Sequence, residues 1–208
     1  MAEQEKEKKF IIEIFRKKDP EELTAILADP AGKLDIGSAA ALCAAESGAM
    51  ALRAARLAAE QSEGDERLDY ILRNIEKLRA YFVYLIDEDV KGRNIMRRAL
   101  KDGDPQKIDA ARQPAAAISD EVICQLINLV DLIEELTAYA PAESAAYIGS
   151  AVEYALSGIR SARLFAVHLA NGSSDETYAF IVKRENEIRL EELRPKTEKI
   201  LAWAEEKL

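Results

Sequence analysis

Residues 34–60, LDIGSAAALCAAESGAMALRAARLAAE, form the stretch that decides the fold. About half of residues 39–60 are Ala, which has the highest helix propensity but buries too little area to anchor a core alone. A long helix of small side chains lets another backbone come close, so this stretch predicts a helix at the centre of the molecule. Ser38 is the predicted N-cap, since its hydroxyl can accept from a free backbone N–H.

The start of this predicted helix is also a candidate ligand site. Gly37 and Ser38 would leave free N–H groups at the positive end of the helix, where anions bind. The simpler alternative is that Gly37 only makes the turn and the Ala face only packs. From this stretch alone, we favour the packing interpretation.

The remainder of the chain predicts an all-α protein. No run of alternating β-branched residues bounded by turn residues occurs, whereas long stretches carry apolar residues three and four positions apart. Gly and Pro are few, 9 and 6 in 208 residues, and charges are spread along most segments, so no segment is predicted to be disordered. We therefore expect a bundle of six or seven helices, several of them long.

The predicted helices divide the chain into two parts. Residues 1–18 carry an extra N-terminal helix, from Lys6 to Lys18, with four apolar side chains on one face: Phe10, Ile11, Ile14 and Phe15. Residues 19–208 form the main helical domain, in which Pro114 is expected to break or kink one helix because it removes an N–H donor. Several helices are longer than a small monomeric bundle needs, so we expect an intertwined or closely packed twofold homodimer.

Charge and composition exclude several classes of function. The net charge of −9 opposes binding to nucleic acids, which requires clustered Lys and Arg. The charged start, MAEQEKEKKF, is not a secretion signal, and no segment approaches the ~20 apolar residues of a membrane span. Cys43 and Cys124 show no CxxC spacing, so we expect buried, reduced thiols and a cytoplasmic protein.

Asp89 is the main candidate for chemistry. The acidic run Asp87-Glu88-Asp89 interrupts an apolar stripe, and Asp87 and Asp89 point about 200° apart on a helix, so they do not form a paired site. The stripe places Asp89 on the side of Leu85 and Ile86, where a carboxylate is costly to bury and is therefore a functional suspect. As an isolated feature, a solvated acidic turn is the favoured alternative.

The basic residues supply a second candidate site. Arg160 and Arg163 lie one turn apart in the middle of a predicted helix and could hold a carboxylate or a phosphate. Arg97 is weaker evidence, since a cation near a helix C-terminus has a simple electrostatic explanation. We expect no metal site, because one His, His168, and two separated Cys cannot supply a standard zinc site.

Three landmarks occur in order along the chain. Leu34–Ser38 followed by AAAL is similar to a PGGGS turn that opens an Ala-rich helix, and residues 85–90, LIDEDV, are similar to a D-x-D-A-x-A-F motif. Residues 143–166 are similar to an S-D turn followed by GA-x-x-NV-x-x-N. From about residue 21 to the end, this pattern resembles the formiminotransferase-cyclodeaminase and methenyltetrahydrofolate cyclohydrolase family, so residues 19–208 are expected to form the family's helical domain.

The chain departs from the family pattern at several positions. The proline and two of the three glycines of the turn are absent, and the family's Asp at the later helix start corresponds to Ser144. The two Asn positions correspond to Ala162 and Ala166, and the Ala and Phe after Asp89 correspond to Gly92 and Arg93.

The resemblance implies an all-helical homodimer that takes a tetrahydrofolate derivative as substrate, with no metal. Such proteins hydrolyse the bridge of 5,10-methenyltetrahydrofolate to 10-formyltetrahydrofolate, or expel ammonia from 5-formiminotetrahydrofolate. Asp89 would then handle the proton or orient the pterin. The implied substrate contacts are Gly37, Ser38, Asp87 and Ser144, with Arg160, Arg163 or Arg97 holding the glutamate tail.

Two other hypotheses stay open beside the folate enzyme, which we place first. The departures favour a non-catalytic homodimer of the same fold that binds another ligand or a protein partner, since fold does not fix function. The least specific hypothesis is a scaffold whose N-terminal helix, residues 1–18, contacts a partner.

Overall fold

The computed structural model describes residues 14–62 and 64–208. Regular structure in these residues is entirely helical, which confirms the all-α prediction. The six α-helices are α1 (Pro20–Ala28), α2 (Ile36–Gln61), α3 (Glu66–Asp102), α4 (Pro105–Leu136), α5 (Ala145–Asn171) and α6 (Glu176–Lys207), with 3-10 turns at Phe15–Lys17 and Ala142–Ser144. None of the helices in the described ranges combines the length and the apolar content that crossing a membrane would require.

The Ala-rich helix α2 lies at the centre of the bundle, as its small side chains predict. It packs against α3 on one side and α5 on the other, while α4 joins α3 to α5 and α6 covers α5. The backbones approach closely: the Ser47 hydroxyl donates to the carbonyl of Ala151 at 2.7 Å, and a side-chain carbon at Gly48 would lie 3.0 Å from Cβ of Arg79. Small residues in α2 therefore bring the neighbouring helices within reach of its backbone.

The prediction that Ser38 caps α2 is wrong. The N-cap is Asp35, whose carboxylate accepts from the N–H of Ile36 at 2.8 Å, so the helix begins three residues earlier. Ser38 lies in the first turn of the helix, and its hydroxyl donates to a different helix. Asp and Ser are about equally good caps, so local propensity could not choose between them.

Of the two effects expected of Pro114, a break or a kink in its helix, the break is wrong, whereas the kink stays a prediction. Helix α4 runs without a break from Pro105 to Leu136, with Pro114 inside it. Pro114 and Ala110 are both exposed, so the carbonyl that loses its partner, one turn before the proline, faces water. Packing of α4 against α3 and α5 outweighs the local preference of the proline.

The predicted N-terminal helix, residues 6–18, falls mostly on residues 1–13, which lie outside the described part of the chain. Its described end is a 3-10 turn, Phe15–Lys17, in place of the α-helix expected through Lys18. Phe15 is 2% exposed and belongs to the main hydrophobic core. The boundary between residues 18 and 19 stays a prediction.

Candidate functional site

Asp89 is a buried carboxylate in the second half of α3, with 1% of its surface exposed. Its Oδ2 atom accepts a 2.7 Å hydrogen bond from the hydroxyl of Ser38, in the first turn of α2. Within residues 14–62 and 64–208, its Oδ1 atom has no hydrogen-bond partner. A buried acceptor without a protein partner is costly, so it requires an explanation such as a bound water, an ion, a ligand or a catalytic role.

Gly37 makes this close approach of α2 and α3 sterically feasible. A Cβ atom at position 37 would lie 2.1 Å from Oδ1 of Asp89 and 2.6 Å from its Cγ atom. The space that any other side chain would need is thus filled by the carboxyl group. The positive end of α2, which we considered as an anion site, faces the protein's own Asp89.

Burial raises the pKa of Asp89 to about 6, from an ordinary value of 3.8. The hydrogen bond from Ser38 and the charge of Arg93 act in the opposite direction, and the charge of Asp35 adds to the increase. Near neutral pH both the acid and the carboxylate are therefore accessible. A group with this property can accept and return a proton within one reaction cycle.

Arg93 and Asp35 form the charged rim of this site, and neither was among the residues proposed from the sequence. Their side chains form an ion pair between α3 and the cap of α2, and the Arg93 guanidinium lies 4.8 Å from the centre of the Phe165 ring. Within the described residues, Nε of Arg93 has no hydrogen-bond partner. The spacing of four residues from Asp89 to Arg93 is a helical pairing signal that could have identified the arginine.

Asp87 lies outside this cluster. Both of its oxygens bind the segment before α1: Oδ1 accepts from the N–H of Phe15 at 2.7 Å, and Oδ2 pairs with the guanidinium of Arg16 at 2.7 Å. The carboxyl group of Asp87 is therefore engaged within the chain. Its proposed contact with substrate stays a prediction.

Ser144 lies far from Asp89 within one chain. Ser144 comes just before α5, beside the C-terminal end of α2, where Glu143 accepts from Gln61 at 3.4 Å. The length of α2, about 1.5 Å per residue, separates it from Gly37 and Ser38. Arg160 lines a groove of about 330 Å³ between α5 and α6, and Arg163 is half-buried on α5. The structure thus brings Gly37, Ser38 and Asp89 together, whereas Asp87 binds the segment before α1 and Ser144 lies at the opposite end of α2.

The raised pKa of Asp89 makes a prediction about stability. Between the ordinary and the raised pKa the folded protein binds more protons than the unfolded chain, so this residue's contribution to stability is greatest in acid and is lost as the pH rises through about 6. The unfolding free energy of Asp89→Asn minus that of wild type should therefore be about 2 kcal/mol larger at pH 7.5 than at pH 4.5. Urea denaturation of both proteins at the two pH values measures this change. If the difference between variant and wild type is the same at both pH values, the prediction is contradicted.

The hydroxyl of Ser38 stabilises the charged form of Asp89. Ser38→Ala should therefore raise the pKa of Asp89 further and lower the unfolding free energy at pH 7.5 by about 1–3 kcal/mol. Ser47→Ala is the matched control, because it also removes a buried hydroxyl from α2 but one that binds the Ala151 carbonyl. Carboxyl carbon NMR titration should show a shifted Asp89 in the first variant only, and equal shifts in both would contradict the assignment.

Comparisons with known proteins give a family match and a solved structure of similar fold. A sequence model of the formiminotransferase-cyclodeaminase family matches residues 21–188. The crystal structure of formiminotetrahydrofolate cyclodeaminase from Thermotoga maritima has a similar fold, with a TM-score of 0.78 and 18% identity, over 89% of this chain and 96% of that chain. A search of curated proteins finds no match. The family match includes Gly37, Ser38 and Asp89 and begins after residues 14–18.

Proposed function

The chain belongs to the formiminotransferase-cyclodeaminase family, and on that premise we propose that it is a one-carbon folate enzyme. The proposed reaction is hydrolysis of 5,10-methenyltetrahydrofolate to 10-formyltetrahydrofolate, or cyclodeamination of 5-formiminotetrahydrofolate. The observation that supports it is Asp89, a buried carboxyl group with one unpartnered oxygen and a pKa raised to about 6, held against the first turn of α2.

Both reactions need one group that moves a proton twice. In hydrolysis, water adds to the methenyl carbon and loses a proton. The bond from that carbon to N5 then breaks as N5 takes up a proton, and the remaining hydroxyl proton leaves to solvent as the formyl C=O forms. In cyclodeamination, N10 attacks the formimino carbon and loses its proton, and the amino nitrogen is then protonated and leaves as ammonia, which gives the 5,10-methenyl bridge. Asp89 as carboxylate would accept the first proton and, as acid, return the second, which is why a pKa near the working pH suits the reaction.

The residues around Asp89 have separate roles in this proposal. Ser38 orients the carboxyl group through its 2.7 Å hydrogen bond, leaving Oδ1 for the reacting atoms. Arg93 supplies positive charge at the rim and keeps the pKa of Asp89 from rising further. Neither reaction, as written, requires a metal ion, and we propose that the protein uses none.

We expect the protein to act as a homodimer in the cytoplasm. Large apolar side chains are exposed on α5 and α6, including Leu164 at 64% and Phe180 at 69%, and such surface supports a subunit interface. Ser144 and Asp89 could contact one ligand only if two subunits complete the site. Cys43 and Cys124 are unpaired, which suits a reducing compartment.

The decisive experiment follows the absorbance of 5,10-methenyltetrahydrofolate after addition of the purified protein. We expect loss of absorbance at a rate proportional to protein concentration, or ammonia release when 5-formiminotetrahydrofolate is supplied. Absence of turnover with both substrates, together with absence of folate binding by calorimetry, overturns the proposal.

A second candidate function is folate binding without catalysis. The two positions that correspond to the family's Asn residues are occupied by Ala162 and Ala166, which carry no polar side chain. Both are buried, with 0% and 2% of their surface exposed. Fewer polar contacts to the reacting centre would reduce catalysis more than binding. Calorimetric binding of methenyltetrahydrofolate without turnover would identify this second function.

A further inference from the structure

Residues 14–18, which we call the strap, cross α3 before the matched family region begins at residue 21. The ring of Phe15 is 2% exposed and packs into the main core, with the Lys33 ammonium 5.9 Å from its centre. The strap is therefore anchored by burial of a large apolar side chain. It is an addition to the family domain that belongs to the packed structure.

Asp87, on α3, is the residue that binds the strap. Its Oδ1 atom accepts from the N–H groups of Phe15 at 2.7 Å and Arg16 at 3.3 Å, and its Oδ2 atom pairs with the Arg16 guanidinium at 2.7 Å. The residue is 8% exposed, so these bonds compensate a charge that is largely removed from water. The guanidinium also lies 5.9 Å from the centre of the Tyr84 ring.

The strap and the start of α2 hold opposite sides of the same turn of α3. Asp87 and Asp89 are two residues apart, which on a helix turns their side chains by about 200°. Asp87 faces the strap, whereas Asp89 faces Ser38. Helix α4 supports a third side, because a Cβ atom at Gly92 would lie 3.3 Å from the carbonyl oxygen of Pro114. The rotation of α3 at Asp89 is thus fixed from three directions.

We propose that the strap positions the reactive carboxyl group: Phe15 and Arg16, acting through Asp87, hold α3 so that Asp89 stays buried against Gly37 and Ser38. The proposal rests on the proposed function for its effect on catalysis, although its effect on Asp89 itself does not. Asp87 is a positioning residue in this scheme and makes no contact with folate. Residues outside the family domain would then control how its proton-transfer group works.

The test uses Arg16→Ala and Asp87→Asn in the full chain, with Arg67→Ala as the matched control. Arg67 pairs with Glu135 at the other end of α3, so its loss removes an ion pair of the same helix away from the strap. The titration of Asp89 is followed by carboxyl carbon NMR, assigned by comparison with Asp89→Asn. Turnover of methenyltetrahydrofolate is measured in parallel as separate kcat and KM values.

Loosening the strap should admit water to Asp89, which weakens the effect of burial. We expect its titration midpoint to fall by about one pH unit in Arg16→Ala and Asp87→Asn, and to stay unchanged in Arg67→Ala. In an active enzyme kcat should fall by about 10- to 100-fold with little change in KM, and Arg16→Lys should restore much of it. The NMR titration and Arg16→Lys keep the test decisive where Asp87→Asn fails to fold.

Two outcomes overturn the proposal. An unchanged titration of Asp89 in folded Arg16→Ala makes the strap a structural element only. A raised KM in Asp87→Asn with an unchanged titration makes Asp87 a substrate contact. Failure of the proposed function is a different result, since wild type would then lack turnover while the titration of Asp89 still responded to the strap.

Discussion

Replacing Asp89 with Asn is expected to reduce turnover of methenyltetrahydrofolate by about 10²- to 10⁴-fold, the usual contribution of a general acid–base group. The amide has nearly the same shape and can still accept the hydrogen bond that Ser38 donates at 2.7 Å, but it cannot exchange a proton. The loss should therefore be in kcat at every pH. Steady-state kinetics from pH 5 to 8 measures it, and the wild-type profile should change near the pKa of Asp89, about 6.

Asp69→Asn is the control for this experiment. Asp69 is an exposed carboxylate in the first turn of α3, so its replacement makes the same chemical change on the same helix away from the site. We expect wild-type turnover in that variant. If Asp89→Asn keeps wild-type kcat while Asp69→Asn behaves as expected, Asp89 has no role in proton transfer.

Gly37→Ala is expected to lower both stability and turnover. The added methyl group would lie 2.1 Å from Oδ1 of Asp89, so α2 and α3 must move apart or the carboxyl group must turn away. Overpacking of this kind costs about 1–3 kcal/mol and would displace the group that handles the proton. Urea denaturation and the absorbance assay measure the two effects on one protein preparation.

Gly149→Ala provides the matched comparison, with the opposite sign expected for stability. Gly149 lies within α5, and a Cβ atom there would be 3.4 Å from Cβ of Ala204, an ordinary contact. Ala in a helix interior is favoured over Gly by about 0.5–1 kcal/mol, so this variant should be more stable than wild type and fully active. Wild-type stability and turnover in Gly37→Ala would show that the close approach of α2 to Asp89 does not determine the site.

The sequence predicted the helices and one part of the site for local reasons. The apolar residues of α3 repeat at helical spacing, and this repeat singled out Asp89 as the carboxylate on the side of Leu85 and Ile86, with Asp87 pointing about 200° away. The Ala content of residues 39–60 likewise predicted a central helix with close neighbours. Each of these inferences depends on residues within a few turns of one another.

The errors share a cause, which is contact between residues distant in sequence. Ser38 looks like a helix cap because cap propensity is local, yet its hydroxyl binds a residue 51 positions away. The partners of Asp87 in the strap, 71 and 72 positions away, likewise had no signal in the sequence, although its contact with substrate stays a prediction. Pro114 looked like a helix end, although packing and an exposed preceding turn keep α4 continuous.

By itself, the sequence determined the helical class and the central Ala-rich helix, because helix propensity and apolar periodicity act over one or two turns. For Asp89 it indicated a possible buried carboxylate but favoured a solvated acidic turn. Only the tertiary structure decided that Asp89 meets the first turn of α2 while Asp87 receives the strap. Those contacts depend on how the helices pack side by side. A hydrogen bond or an ion pair across two helices leaves no periodic trace in either one.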